Sequence, residues 1–231
     1  MIPYISSLFP KLQMRELELQ FPDAPATLFQ GLNLDLDAGQ ILVISGGNSS
    51  GKSSLINCLC GIIPKGIPAR VSGSIRWGDR SLKEIPLCEI YRFISLAPAE
   101  TREQMLMPTV ELELAFALEN MGLPPSEIRK RIDSAADRFG IYHLLQAAPQ
   151  NLSGGEQRLL LCAICDSMQN PVLLMDEPET GLSESSLALL CEWLMELRKL
   201  GKGIVLASHN PHIISMADSR IHLEKTSVHP A

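Results

Sequence analysis

Gly46-Gly47-Asn48-Ser49-Ser50-Gly51-Lys52-Ser53 has the glycine, lysine and hydroxyl spacing of a loop that holds phosphate. The glycines let backbone N–H groups turn inward where a Cβ would block approach. Lys52 is placed to reach the β- and γ-phosphates of a nucleoside triphosphate, and the Ser53 hydroxyl to ligate Mg²⁺. Ser54 opens the helix that follows and belongs to the same set of nucleotide contacts. A second group, Asp176-Glu177, stands where an apolar run stops; Asp176 is suited to a metal shell and Glu177 to polarising an attacking water. A third, Ser153-Gly154-Gly155-Glu156, is a capping box whose two small residues leave helix N-terminal N–H groups open to an external anion. His209 stands just beyond another apolar run.

These residues need strands to deliver them. Ile41-Leu42-Val43-Ile44 reads as a buried strand ahead of the loop, and Ser54 to Leu59 as a helix behind it. Val172 to Met175 and Ile204 to Ala207 are short apolar strands leading into Asp176 and Ser208-His209. Residues 12–20, 32–36, 73–77, 91–97 and 220–223 complete the strand pattern, with Gly78-Asp79 as a hairpin turn. Residues 61–68 and 98–110 read as loops, the latter flexible. Helices are expected from 109 to the break at Pro124-Pro125, over 126–139 with Ile128, Ile132, Ala135 and Phe139 on one side, and from 153 to about 168. Another runs from Ser183, with a stripe of Leu187, Leu190, Cys191, Leu194 and Leu197. Strands alternating with helices imply an α/β fold with a largely parallel sheet and ligands at the strands' carboxyl ends. The chain reads as one domain over 1–231, with core at about 1–108 and 151–231 and a helical block inserted at about 109–150.

Composition narrows the function. A net charge of −6 over 231 residues argues against a nucleic-acid partner. No apolar run reaches the 18 or more residues that span a bilayer, and residues 1–5 lack the basic start of a secretory signal, so cytosol is the expected compartment. Cys162 and Cys165 form a C-x-x-C inside an apolar helical run, which reads as core thiols and not a metal site. Arg129-Lys130-Arg131 reads as a solvated helix face.

Leu152-Ser153-Gly154-Gly155-Glu156-Gln157-Arg158 resembles the signature of ATP-binding-cassette ATPases. With the 46–53 loop, Leu173 to Pro178 and His209, the resemblance spans nearly the whole chain in that family's order. It implies the family's P-loop fold: a largely parallel core, an N-terminal antiparallel β subdomain and an inserted helical subdomain. It also implies ATP hydrolysis with Mg²⁺, and a head-to-tail homo- or heterodimer sandwiching two nucleotides. In that arrangement Ser153 and Gly155 of one copy close the site of the other, Phe21 stacks on adenine, and His209 contacts the γ-phosphate. Residues 108–120, Pro-Thr-Val-Glu-Leu-Glu-Leu-Ala-Phe-Ala-Leu-Glu-Asn, resemble the helical insertion of energy-coupling-factor ATPases, which power cobalt, nickel, biotin and vitamin uptake. The partner implied is an integral membrane transport subunit, with this chain bound peripherally at the membrane's cytoplasmic face.

Three positions depart from the family. Ala97 stands where the lid glutamine is expected, Ser183 replaces an interface aspartate, and Ser49 replaces a loop glycine. The chain also ends soon after residue 223, short of the C-terminal segment many energy-coupling-factor ATPases use for dimer contacts. Losing one preorganised contact slows chemistry on the order of 10²–10³-fold, so slowed hydrolysis beside a more regular partner is expected. A cassette that dimerises on ATP without driving transport, or a low-activity regulatory partner, is the competing reading.

Overall fold

The computed structural model describes residues 11–100 and 105–224. The reading of residues 1–5, and part of that of 98–110, lies outside them. Five strands, β3 (Ile41–Gly46), β6 (Ile94–Ala97), β7 (Val172–Asp176), β8 (Gly203–Ala207) and β9 (Ser219–Leu223), form an all-parallel sheet in the order β6-β7-β8-β3-β9. Beside it an antiparallel sheet runs β2-β1-β4-β5, built from β1 (Leu12–Gln20), β2 (Phe29–Leu36), β4 (Arg70–Trp77) and β5 (Arg80–Ser81).

The central strands are apolar throughout because both faces are covered. Leu42, Ile44, Leu174, Val205 and Ala207 pack into a core shared with the antiparallel sheet and α1 (Lys52–Leu59). Val43, Leu173, Met175, Ile204 and Leu206 point the other way. They meet a layer containing α4 (Val110–Asn120), α5 (Pro125–Arg138), α6 (Gly154–Met168) and α7 (Glu184–Lys199). Short turns α2 (Ile62–Lys65), α3 (Leu87–Ile90) and α8 (Pro211–Ser215) fill the connections.

Several boundaries differ from expectation. The 61–68 loop contains α2, closed by the Gly66 N–H donating to Ile62 O at 2.6 Å. The strand expected from 91 begins only at Ile94, because α3 and the turn after it consume the preceding residues. Strand β1 carries a register shift after Arg15, with Glu16 at φ +47°, so its fully buried residues run Leu12, Met14, then Leu17, Leu19. The bulge keeps both pairs on the core side.

Charges also turn inward. Arg131 is 7% exposed, so it does not belong to a solvated face. Its guanidinium bonds Glu127 at 2.7 Å and the Ser167 carbonyl at 3.2 Å, at the end of α6, where the last carbonyls lack intrahelical partners. On α4, Glu113 is buried and accepts the Met107 N–H at 2.8 Å, while Leu112 and Phe116 are exposed. On α7, Trp193 joins the buried stripe, donating to Asp166 and meeting Phe139 edge-on at 5.2 Å. Cys162 and Cys165 are buried in α6, where burial pushes the Cys162 thiol up to about 12 and Cys165 higher still.

Candidate functional site

The phosphate loop lies between β3 and α1, at the carboxyl end of the parallel sheet. It starts at Gly46, whose φ of +148° and tight surroundings exclude a side chain: a Cβ would sit 2.4 Å from the Leu223 carbonyl. Ser49 has φ +62°, a left-handed conformation that costs a non-glycine residue roughly 1–2 kcal/mol. A glycine here would carry no such strain. The Ser50 hydroxyl is buried without a hydrogen-bond partner among the described residues.

Lys52 is 7% exposed and donates to the carbonyls of Gly46 (3.0 Å) and Gly47 (3.1 Å). Its ammonium also stands 4.0 Å from Glu177 Oε1. Phe21, Leu28, residues 48–54 and Glu177 line one cleft of about 540 Å³. An aromatic ring, the helix N-terminus with its partial positive charge, and the strand-end acid therefore share one open space.

Asp176 ends β7 and is 4% exposed. Burial raises its carboxyl above the usual range, opposed by the hydrogen bond from Ser53. Its Oδ1 is buried with no hydrogen-bond partner among the described residues. An orphaned carboxylate oxygen beside a hydroxyl suits a hard, oxygen-seeking cation such as Mg²⁺. The next residue, Glu177, adopts φ +47°, and its N–H donates to Ala207 O at 2.8 Å. That left-handed step carries the chain out of β7 and leaves the Glu177 carboxylate in the cleft. His209 is exposed, two residues beyond the Ala207 carbonyl that anchors Glu177. It does not line the cleft, so the fold brings it near Glu177 through the backbone and not by side-chain contact.

The helix tip at 153–156 also lies outside the cleft. There the capping box is complete: Ser153 Oγ accepts from the Glu156 N–H at 3.3 Å, and Glu156 Oε2 accepts from the Ser153 N–H at 2.8 Å. The Ser153 hydroxyl also donates to that carboxylate at 2.6 Å, and these bonds hold the Glu156 carboxyl below its usual range. Gly154 and Ser153 are exposed. Gly155 packs against the Gly181 turn, where a Cβ would come within 2.9 Å of the Gly181 carbonyl.

Ala97 requires a correction of position. It pairs in register with Met175 and is 0% exposed, so a side chain there points into the helical-layer core and not toward the cleft. The residues that leave β6 toward the site are Pro98 and Ala99, and neither supplies a polar side chain. Ser183 caps α7, accepting from the Ser186 N–H at 3.2 Å. Arg158, which had no assigned role, is 3% exposed and holds the Pro98 and Ala99 carbonyls. Its sequence signal is spacing: Arg158, Leu161, Cys162 and Cys165 share the buried face of α6.

A glycine loop cradled between β3 and α1, with acids at the end of β7, two strands away in the same parallel sheet, defines a P-loop nucleotide-binding α/β domain. Residues 29–180, well over half of the chain, match the family model described as ABC transporter, and the chain belongs to that family as an ATP-binding domain. A putative ABC transporter ATP-binding protein of Methanosarcina acetivorans is 28% identical over 219 residues, covering 94% of this chain and 42% of the relative. The energy-coupling factor transporter ATP-binding protein EcfA2 of Clostridium perfringens is 31% identical over 215 residues, 93% of this chain and 74% of the relative. The structure of cbiO1 from Clostridium perfringens, described as part of the ABC transporter complex cbiONQ, superposes with a TM-score of 0.78 at 27% identity. That superposition covers 95% of this chain and 88% of that one. The chain thus spans under half to about three quarters of the curated relatives' lengths. Among the described residues no helix is long and apolar enough to cross a membrane.

Proposed function

We propose that the chain is the ATP-hydrolysing subunit of an importer of the energy-coupling-factor kind, moving a metal ion or vitamin through a membrane partner. The observation that carries this reading is the division of the site. Lys52 and Glu177 share a cleft, while the Ser153–Gly155 tip lies outside it with exposed residues. One copy holds half a site, and a facing copy or cousin completes it.

In this reading Phe21 stacks on adenine, and residues 46–54 wrap the phosphates with Lys52 on the β- and γ-groups. Ser53 and Asp176 would hold Mg²⁺, which would supply charge neutralisation for the phosphates. Glu177 orients water and takes its proton, and His209 swings in from the turn after β8 to contact the γ-phosphate. The partner's Ser153, Gly154, Gly155 and Glu156 close over the nucleotide from the other side. Residues 109–150 form a helical subdomain within the single domain, and the exposed Leu112 and Phe116 on α4 suit contact with a membrane subunit at the cytoplasmic face.

The lack of a polar side chain at 97–99 and of the expected aspartate at 183 favours slowed hydrolysis and a more regular partner ATPase. The test is a Glu177→Gln chain saturated with Mg-ATP. Pairing with itself or with a cassette relative is expected, and failure to pair with either rejects the reading. Recovery of a polytopic protein from detergent-solubilised membranes separates a transport subunit from a cassette that only dimerises.

A further inference from the structure

Arg158 is a buried cation with no carboxylate within 4.0 Å among the described residues. Its Nη1 donates to Pro98 O at 2.9 Å and its Nη2 to Ala99 O at 2.8 Å, while its Nε is buried with no partner among the described residues. Removing a guanidinium from water costs several kcal/mol, and two neutral carbonyls repay little of it. The opposing charge comes from further off: Asp176, Glu177 and Glu179 at the end of β7 act on Arg158 through the interior. An apolar side chain would fill this place more cheaply. The charge is therefore unexplained by packing.

Its location is specific. Arg158 stands on α6 little more than one turn after the Ser153–Gly155 tip, and its fork grips the two residues that leave β6, the strand beside β7. These are the residues that lack a polar side chain for the site.

We infer that Arg158 is a positioning residue, which fixes the β6 exit loop against the β7 acids and ties it to the helix tip that serves the facing copy. The inference rests on the ATPase reading. It assigns to one buried fork the holding of a loop that has no polar side chain of its own at 97–99. The planar guanidinium spans both carbonyls at once, whereas a lysine ammonium serves as a single point. The tip and the loop then move as one piece, so closure on the partner's nucleotide is felt beside this chain's own Glu177.

The test compares Arg158→Met and Arg158→Lys with the wild-type full-length chain. Three quantities are measured: nucleotide affinity, melting temperature and single-turnover ATP hydrolysis. Arg158→Met should keep affinity within about two-fold and melt no lower than wild type, yet hydrolyse roughly 10²-fold more slowly, the scale of a small misplacement of reacting groups. Arg158→Lys should recover part of the lost rate. An Arg158→Met chain that hydrolyses at the wild-type rate overturns the inference. So does one in which melting temperature and affinity fall along with rate, since that marks a purely structural residue. A wild-type chain that binds no nucleotide would reject the ATPase reading itself, a result distinct from either.

Discussion

Gly154 and Gly155 are adjacent at the N-terminus of α6, but a methyl group added to each meets different surroundings. At 154 nothing lies within 4 Å; at 155 the Cβ would press on the Gly181 carbonyl at 2.9 Å. Exchanging glycine for alanine in a helix gains roughly 0.5–1 kcal/mol, and a first-turn site takes the lower end. A domain of this size shifts its melting point by about 2–4 °C per kcal/mol. Gly154→Ala should therefore raise the melting temperature of the nucleotide-free chain by about 1–2 °C. If the tip closes on a facing copy's phosphate, however, the same methyl stands between the open N–H groups and the anion. Loss of one preorganised contact of that kind costs about 3–4 kcal/mol. In a Glu177→Gln background with Mg-ATP, light scattering should then show monomer where the parent shows dimer. A more stable chain that no longer pairs is the signature expected of an interface residue. Normal pairing by Gly154→Ala would mean that the tip is a capped helix end and nothing more.

Other perturbations separate the remaining forces. Asp176 has a raised pKa, so the folded chain holds that proton more tightly than the unfolded chain does, and the penalty of ionising it is present at neutral pH. Asp176→Asn should therefore melt higher at pH 7 without Mg-ATP, with the gain shrinking as pH falls toward 3.8, and it should lose Mg²⁺-dependent nucleotide binding. Arg131→Ala should destabilise by about 1–3 kcal/mol in denaturant titration, because the carbonyl ending α6 loses its donor, whereas exposed Arg129→Ala should stay within about 0.5 kcal/mol. Ser183→Asp should leave stability unchanged, since either side chain caps α7, and should raise the hydrolysis rate if an aspartate there serves the interface. A rate unchanged by that substitution would remove Ser183 from the explanation of slow turnover.

The site was legible in the sequence wherever chemistry forces residue type. The glycines and lysine of 46–53, the apolar runs ending at 176 and 207, and the serine caps at 153 and 183 all stand where their spacing put them. What stayed hidden depends on neighbours distant in sequence. Arg131 sits in a string that reads as solvated and Arg158 in one that gives it no role of its own, yet each has its charge turned inward to backbone carbonyls that only the folded chain supplies. The bulge in β1 hides because Leu12, Met14, Leu17 and Leu19 break strict alternation by one residue. Ala97 is matched to the lid glutamine by its place in the family's order; the register with Met175 sends its side chain to the other side. Turns such as α2 and α3 are shorter than any helical period can reveal.

Lys52 and the Ser153 tip share a property that bears on the proposed order of nucleotide binding. Lys52 is already satisfied by Gly46 and Gly47 carbonyls, and the Ser153 hydroxyl is already spent on Glu156. Neither group waits free in water, so a ligand gains only the difference between the new bond and the old. For Lys52 that difference is favourable, because a charge-assisted bond to phosphate is roughly twice as strong as one to a neutral carbonyl. For Ser153 the exchange runs the other way in part, since its present acceptor is itself a carboxylate. An incoming γ-phosphate must displace Glu156 or share the hydroxyl with it, and the two anions repel. The Lys52 half should thus bind first and strongly, with the helix tip joining only when the full triphosphate is present to compete. This order makes closure sensitive to the γ-phosphate, and Glu156→Gln should relax it: ATP-dependent pairing should tighten, and pairing with ADP should become detectable.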